Sequence, residues 1–156
     1  MTRNTRNALS TALKFLSYRQ RSVMEVDERL KKKGFGDDET GPVIEYLLDA
    51  GLLDDRKYAS DLAASRARYK NWGPVKIAAE LEMKGVSRES IEAALLPLKD
   101  TPVADAALGK WVKRNGVSLP LDKKTKERAF RFLKGRGFTT EAAIKALGAL
   151  KGEDEL

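Results

Sequence analysis

Leu30-Lys-Lys-Lys-Gly34-Phe35 returns along the chain as Leu81-Glu-Met-Lys-Gly85-Val86 and again as Leu133-Lys-Gly-Arg-Gly137-Phe138. Each copy is a leucine, two or three polar residues rich in lysine or arginine, a glycine and an apolar residue. The leucines stand 51 and 52 positions apart. Glycine at such a place ends a helix, because it enters the left-handed turn without Cβ strain. An amphipathic segment precedes every copy, and an apolar helix follows it over 43–53, 91–98 and 144–150. The expected fold is therefore all-α, with three tandem three-helix repeats forming an elongated curved array. The repeats span 1–53 (with an N-terminal extension), 54–98 and 103–150, and an acidic tail at 151–156 is expected to fray. The first repeat reads as longer between Gly34 and its third helix, and the third as longer at 115–121. The connection 99–102 reads as a hinge.

The rest of the chain agrees with helices. β-branched residues are sparse, and apolar residues recur at three and four, as in Leu9, Leu13, Leu16 and in Tyr58, Leu62, Tyr69. Ser22-Val-Met-Glu25 has the form of a capping box. Gly73-Pro74 places proline at a first helical position, where its missing N–H costs nothing. Asp122 and Thr139 or Thr140 are further N-cap candidates, and Gly34, Gly85 and Gly137 are stops.

Composition removes whole classes of chemistry. Among 156 residues there is no cysteine and no histidine. A disulfide scaffold, a thiolate nucleophile, a Ser-His-Asp triad and a His-ligated metal centre are all excluded. The carboxylates are dispersed and no Walker A loop is present, so the expectation is a protein without catalytic residues, metal or cofactor. No apolar run of membrane-spanning length occurs and no apolar core follows the basic start of the chain. The reading is a cytoplasmic protein that does not enter membranes.

Two longer motifs carry a resemblance. Gly51-Leu-Leu53-Asp54-Asp55-Arg-Lys-Tyr58-Ala59 is similar to the G-x-L-D-D-x-x-(F/Y)-A signature of the RecX family, the bacterial regulators of the RecA recombinase. Gly73-Pro74-Val-Lys76-Ile77-Ala-Ala-Glu80-Leu81-Glu-Met-Lys84-Gly85-Val86 resembles that family's G-x-x-(R/K)-I-x-x-E-L-x-x-K-G-(I/V). Arg21-Ser22, Leu30 and Gly34-Phe35 fit its first repeat, whereas the third repeat, with Pro120 in an enlarged connection, conforms least. The resemblance implies three three-helix repeats in a crescent and a monomeric, non-enzymatic regulator of DNA repair and recombination. It also implies binding to RecA filaments on single-stranded DNA, which restrains filament growth and inhibits strand exchange.

Most motif residues also have structural readings. Asp54 and Asp55 read as caps of the following helix rather than a metal or acid–base pair. Glu80 reads as the i,i+4 partner of Lys84. Ile77, Leu81, Tyr58, Leu62 and Tyr69 read as core or packing between repeats, and Trp72 as a staple of the Gly73-Pro74 turn.

Charge discriminates more. The chain carries 30 Lys+Arg against 23 Asp+Glu, a net of +7, and most of the excess lies after residue 100. The window 110–136 holds ten basic residues against Asp122 and Glu127, and 62–79 holds Arg66, Arg68, Lys70 and Lys76 with Tyr69 and Trp72 among them. Any one of these is accounted for by solvation of a helix face. Together they point to a polyanion, since basic groups release counterions from phosphates and aromatic rings stack on bases. The candidate partner or nucleic-acid residues are Arg66, Arg68, Lys70, Trp72, Lys76, Lys123, Lys124, Lys126, Arg128 and Arg131. The leading expectation is a regulator of the RecA filament. The alternative is a general DNA-binding or architectural module without RecA preference.

Overall fold

The structure, a computed structural model, describes residues 1–99 and 102–150. Those residues form nine α-helices and one 3₁₀ turn, with no strand among them. The helices are α1 (Arg3–Tyr18), α2 (Val23–Lys32), α3 (Asp37–Asp49), α4 (Asp55–Lys70), α5 (Pro74–Met83), α6 (Arg88–Leu95), α7 (Val103–Asn115), α8 (Lys123–Gly135) and α9 (Thr140–Ala149). The 3₁₀ turn is Leu96–Leu98. Two of the residues read as a hinge, Asp100 and Thr101, and the acidic tail 151–156 lie outside the described residues.

The repeated leucine–glycine–apolar signal has one structural meaning at all three sites. Phe35, Val86 and Phe138 each donate their amide to the carbonyl of Leu30, Leu81 and Leu133, at 3.1 Å in every case. The glycine amides of Gly34, Gly85 and Gly137 bond at 2.9, 3.0 and 3.1 Å to Lys31, Glu82 and Lys134. All three glycines have positive φ: 95°, 75° and 92°. This is the paired closure of a Schellman turn, which satisfies carbonyls the helix leaves open and folds an apolar residue back onto it.

Two compact units result, one of Met1–Asp61 with Leu81–Ala94, the other of Leu62–Glu80 with the described residues from Leu95 on. The first is built on Ala8, Ala12, Val26, Leu30, Val43, Leu47 and Leu53. The second is built on Leu108, Trp111, Leu121, Ala129, Leu133 and Phe138, with Ala107, Ala143 and Ala146.

Several local expectations are corrected. The third helix of the first repeat begins at Asp37, so no long connection follows Gly34. Asp37, Asp38 and Glu39 favour its first turn, and Glu39 Oε2 accepts the Gly36 amide at 3.0 Å. Pro42 is held within this helix. On α1 and α4 the buried stripe is alanine. Ala8 and Ala12 are buried while Leu13 is exposed, and Ala59, Ala63 and Ala67 are buried while Tyr69 is 72% exposed. Leu62 is half-buried, and only Tyr58 of its set joins the core. Short side chains at a helix contact allow close approach of the axes, so the larger residues flank it. Glu80 does not pair with Lys84. It takes Arg66 in a two-pronged bond, Nε to Oε2 at 2.8 Å and Nη2 to Oε1 at 2.7 Å.

Candidate nucleic-acid interface

Most residues of the two long motifs build the scaffold. Asp54 caps α4, accepting the Lys57 amide at 3.1 Å, but Asp55 reaches a different helix and accepts the Val23 amide at the start of α2, at 2.9 Å. Ser22 forms the capping box with Glu25, and its hydroxyl also donates to the Lys84 carbonyl at 2.7 Å. Lys84 Nζ lies 3.7 Å from Glu25, and Gly85 leaves no room for a Cβ beside Met24. Leu53, Tyr58, Ala59, Ile77 and Leu81 are buried, and Gly51 closes α3 with φ 73°. Burial raises the Glu25 carboxyl, but the Ser22 amide, the Tyr58 hydroxyl and the Lys84 and Arg19 cations outweigh it and hold its pKa below the usual value. Burial and then the neighbouring Glu25 carboxylate push Tyr58 up to about 12, with its hydroxyl short of hydrogen-bond geometry. Burial likewise raises Asp55, against the Val23 amide.

Gly73 and Pro74 do something further. The Gly73 amide donates to the Arg136 carbonyl at 2.7 Å and the Val75 amide to the Gly137 carbonyl at 3.0 Å. A Cβ on Gly73 would stand 2.5 Å from the Gly137 oxygen. Two inter-helix turns of the second unit are thus locked backbone to backbone. Asn71 takes a left-handed φ of 54° to make the bend, a conformation asparagine tolerates better than most residues.

This lock assembles a basic cleft of about 210 Å³, lined by Tyr69, Lys70, Asn71, Lys110, Trp111, Arg114, Phe132 and Arg136, together with Ala107. Arg136 Nη1 donates to the Lys70 carbonyl at 3.4 Å, and Lys110 Nζ to Asn71 Oδ1 at 3.5 Å. Four cations face one another and no lining residue is acidic, so the cleft concentrates positive potential. Exposed Tyr69 supplies a flat ring at the cleft, and the Trp111–Phe132 pair, 6.1 Å between ring centres, with Trp111 buried in the core, backs it.

The residues selected from sequence divide around it. Lys70 enters the cleft. Trp72 is surrounded by Lys76, Lys70 and Arg66 at 4.5, 5.1 and 5.6 Å from its ring centre, so it organises cations as well as bracing its turn. Arg66 is held by Glu80, and Arg68 lies 5.4 Å from the ring of its neighbour Tyr69. Arg128 lies 5.6 Å from the Trp111 ring. Lys123, Lys126 and Arg131 line a separate shallow groove with Glu127 and Phe130, and Lys124 is exposed on the first turn of α8. Lys110, Arg114 and Arg136 belong to the basic window 110–136, where nothing local in the sequence distinguishes them from the other cations. α7 packing on α8 sets Lys110 and Arg114 beside Arg136, and the Gly73–Gly137 lock, whose partners are far apart in sequence, brings Lys70 to them.

Comparison with known proteins gives the scaffold its lineage. Residues 8–47 match the first three-helix domain of RecX and residues 54–95 the second. A regulatory protein RecX of Halorhodospira halophila is 33% identical, covering 92% of this chain and 88% of its own length. One from Chlorobaculum tepidum is 34% identical over 95% and 91%. The chain belongs to the RecX family. The crystal structure of RecX from Lactobacillus salivarius shares the fold, with a TM-score of 0.82 and 22% identity, covering 94% of this chain and 98% of that one. The Halorhodospira halophila and Chlorobaculum tepidum relatives are named as regulatory proteins. Among the described residues, no helix is long and apolar enough to cross a membrane.

Proposed function

We propose that this chain is a non-catalytic cytoplasmic regulator that acts as a monomer on the RecA filament formed on single-stranded DNA. It restrains filament growth and strand exchange. Family membership along most of the chain carries this reading. Physically, the cleft of Lys70, Lys110, Arg114 and Arg136 takes the phosphates of the filament's DNA, while the repeats 1–53, 54–98 and 103–150 supply further weak contacts. Each contact raises the effective concentration of the next. The test is RecA ATP hydrolysis and filament extension on single-stranded DNA with substoichiometric protein added. Both slow if the reading is right, and no change in either sinks it.

The acid-free cleft also favours a second reading, a general DNA-binding module without RecA preference. A salt titration of DNA binding in the absence of RecA separates the two. Tight, steeply salt-dependent binding together with unchanged RecA activity selects the second.

A further inference from the structure

The first unit has an unassigned pocket of its own. α1 and α2 border a cleft of about 540 Å³, lined by Lys14, Phe15, Tyr18, Arg21, Arg29 and Lys33, with Thr11 at its edge. Helical spacing puts Thr11, Lys14, Phe15 and Tyr18 on one face of α1, and Lys33, the residue capping the end of α2, follows Arg29 by one turn. Phe15 anchors the arrangement, with the guanidinium carbons of Arg21 and Arg29 at 3.9 and 5.2 Å from its ring centre.

Four positive side chains therefore converge on a lining without a carboxylate. Among the described residues no acidic group pairs with Lys14, Arg29 or Lys33. Arg21 has only a long approach to Glu25, 3.7 Å, and that carboxylate already serves Arg19 at 3.0 Å and the Ser22 amide at 3.1 Å. Arg21 Nε is buried and makes no hydrogen bond. Packing does not account for this collection, since Lys14, Arg29 and Lys33 are all exposed and fill no core. Repulsion among like charges in one cleft is offset when a multiply charged oxyanion enters, and planar guanidinium forks suit phosphate oxygens.

The cleft is roomier than one phosphate requires, and Tyr18 beside it is 73% exposed, a face on which a base stacks. We infer that the α1–α2 cleft of the first unit is a phosphate-binding site for a nucleotide, presented either free or within a single strand. This site does not depend on the RecA reading.

Its test uses the full chain, without RecA, and backbone amide chemical shifts. Thymidine triphosphate and hexathymidylate are titrated separately. The expected result is saturable movement of amides in 11–21 and 29–33 with at least one probe, the responding probe identifying a free or strand-borne phosphate. The combined variant Lys14→Ala, Arg29→Ala, Lys33→Ala weakens that response by about tenfold or more, while shifts around Lys70 and Arg136 persist. The inference is overturned if neither probe moves those amides, if the variant responds like the parent, or if oligoglutamate of equal charge gives the same shifts at the same concentrations.

Discussion

Ser22 is a hydroxyl with no exposed surface whose two hydrogen-bonding directions are both used, one for the Glu25 amide at 3.2 Å and one for the Lys84 carbonyl at 2.7 Å. Alanine there removes a cap of about 1 kcal/mol and leaves a carbonyl without its donor. Ser22→Ala should therefore lose about 2 kcal/mol in chemical denaturation followed by circular dichroism. Glu25, next to it, makes stability depend on acid. Its folded pKa lies below 4.5, so the unfolded chain takes up the proton first as pH falls. Its contribution is present above the unfolded value and is lost as pH falls through the folded one. Asp55, raised above 3.8, runs the other way and favours the folded state on acidification. Thermal unfolding compared between about pH 7 and about pH 3 should show a smaller acid loss in Glu25→Gln and a steeper one in Asp55→Asn.

At the scale of elements, two glycines illustrate separate demands. Gly34 needs its left-handed backbone but has open space around it, so Gly34→Ala should cost about 1–2 kcal/mol and leave the helices intact. Gly73 needs room, because a methyl there meets the Gly137 backbone and Phe138 Cδ1 at 2.5–2.7 Å. Gly73→Ala should cost more in the same denaturation measurement and also weaken oligonucleotide binding at the Lys70–Arg136 cleft, since the two turns must part. The first demand was legible in the sequence and the second was not. Leucine–glycine–apolar turns announce themselves locally, and so do the caps at Ser22, Asp122 and Thr139, because each is satisfied within a few residues. The need for a small residue at Gly73 comes from a turn more than sixty positions away. Arg66 claims Glu80 across 14 residues, overriding the nearby Lys84, and alanines on α1 and α4 fill the core beside Tyr58, Leu9 and Leu16, which leaves Leu13 and Tyr69 exposed.

For the whole molecule, most of the net charge of +7 lies after residue 100, and basic side chains from separate elements converge there in the acid-free cleft of the second unit. Lys110→Ala, Arg114→Ala and Arg136→Ala together remove three cations from an acid-free cleft. The log–log salt slope of binding to single-stranded DNA should flatten by about 2. Removing Lys123, Lys124 and Lys126 should flatten it less, because Asp122 and Glu127 already offset charge along that stretch. Anisotropy of a labelled oligonucleotide across a salt series measures both.

The chain's two tryptophans, Trp72 and Trp111, both fall in the second unit, while the aromatic residues of the first are phenylalanine and tyrosine. Indole emission is therefore a private signal of one unit, whereas helical ellipticity is shared by both. Followed together through denaturation, the two signals give coincident curves when the units melt as one and separate curves when they do not. Trp72, ringed by three cations, adds a natural optical reporter for any anion that draws those cations away.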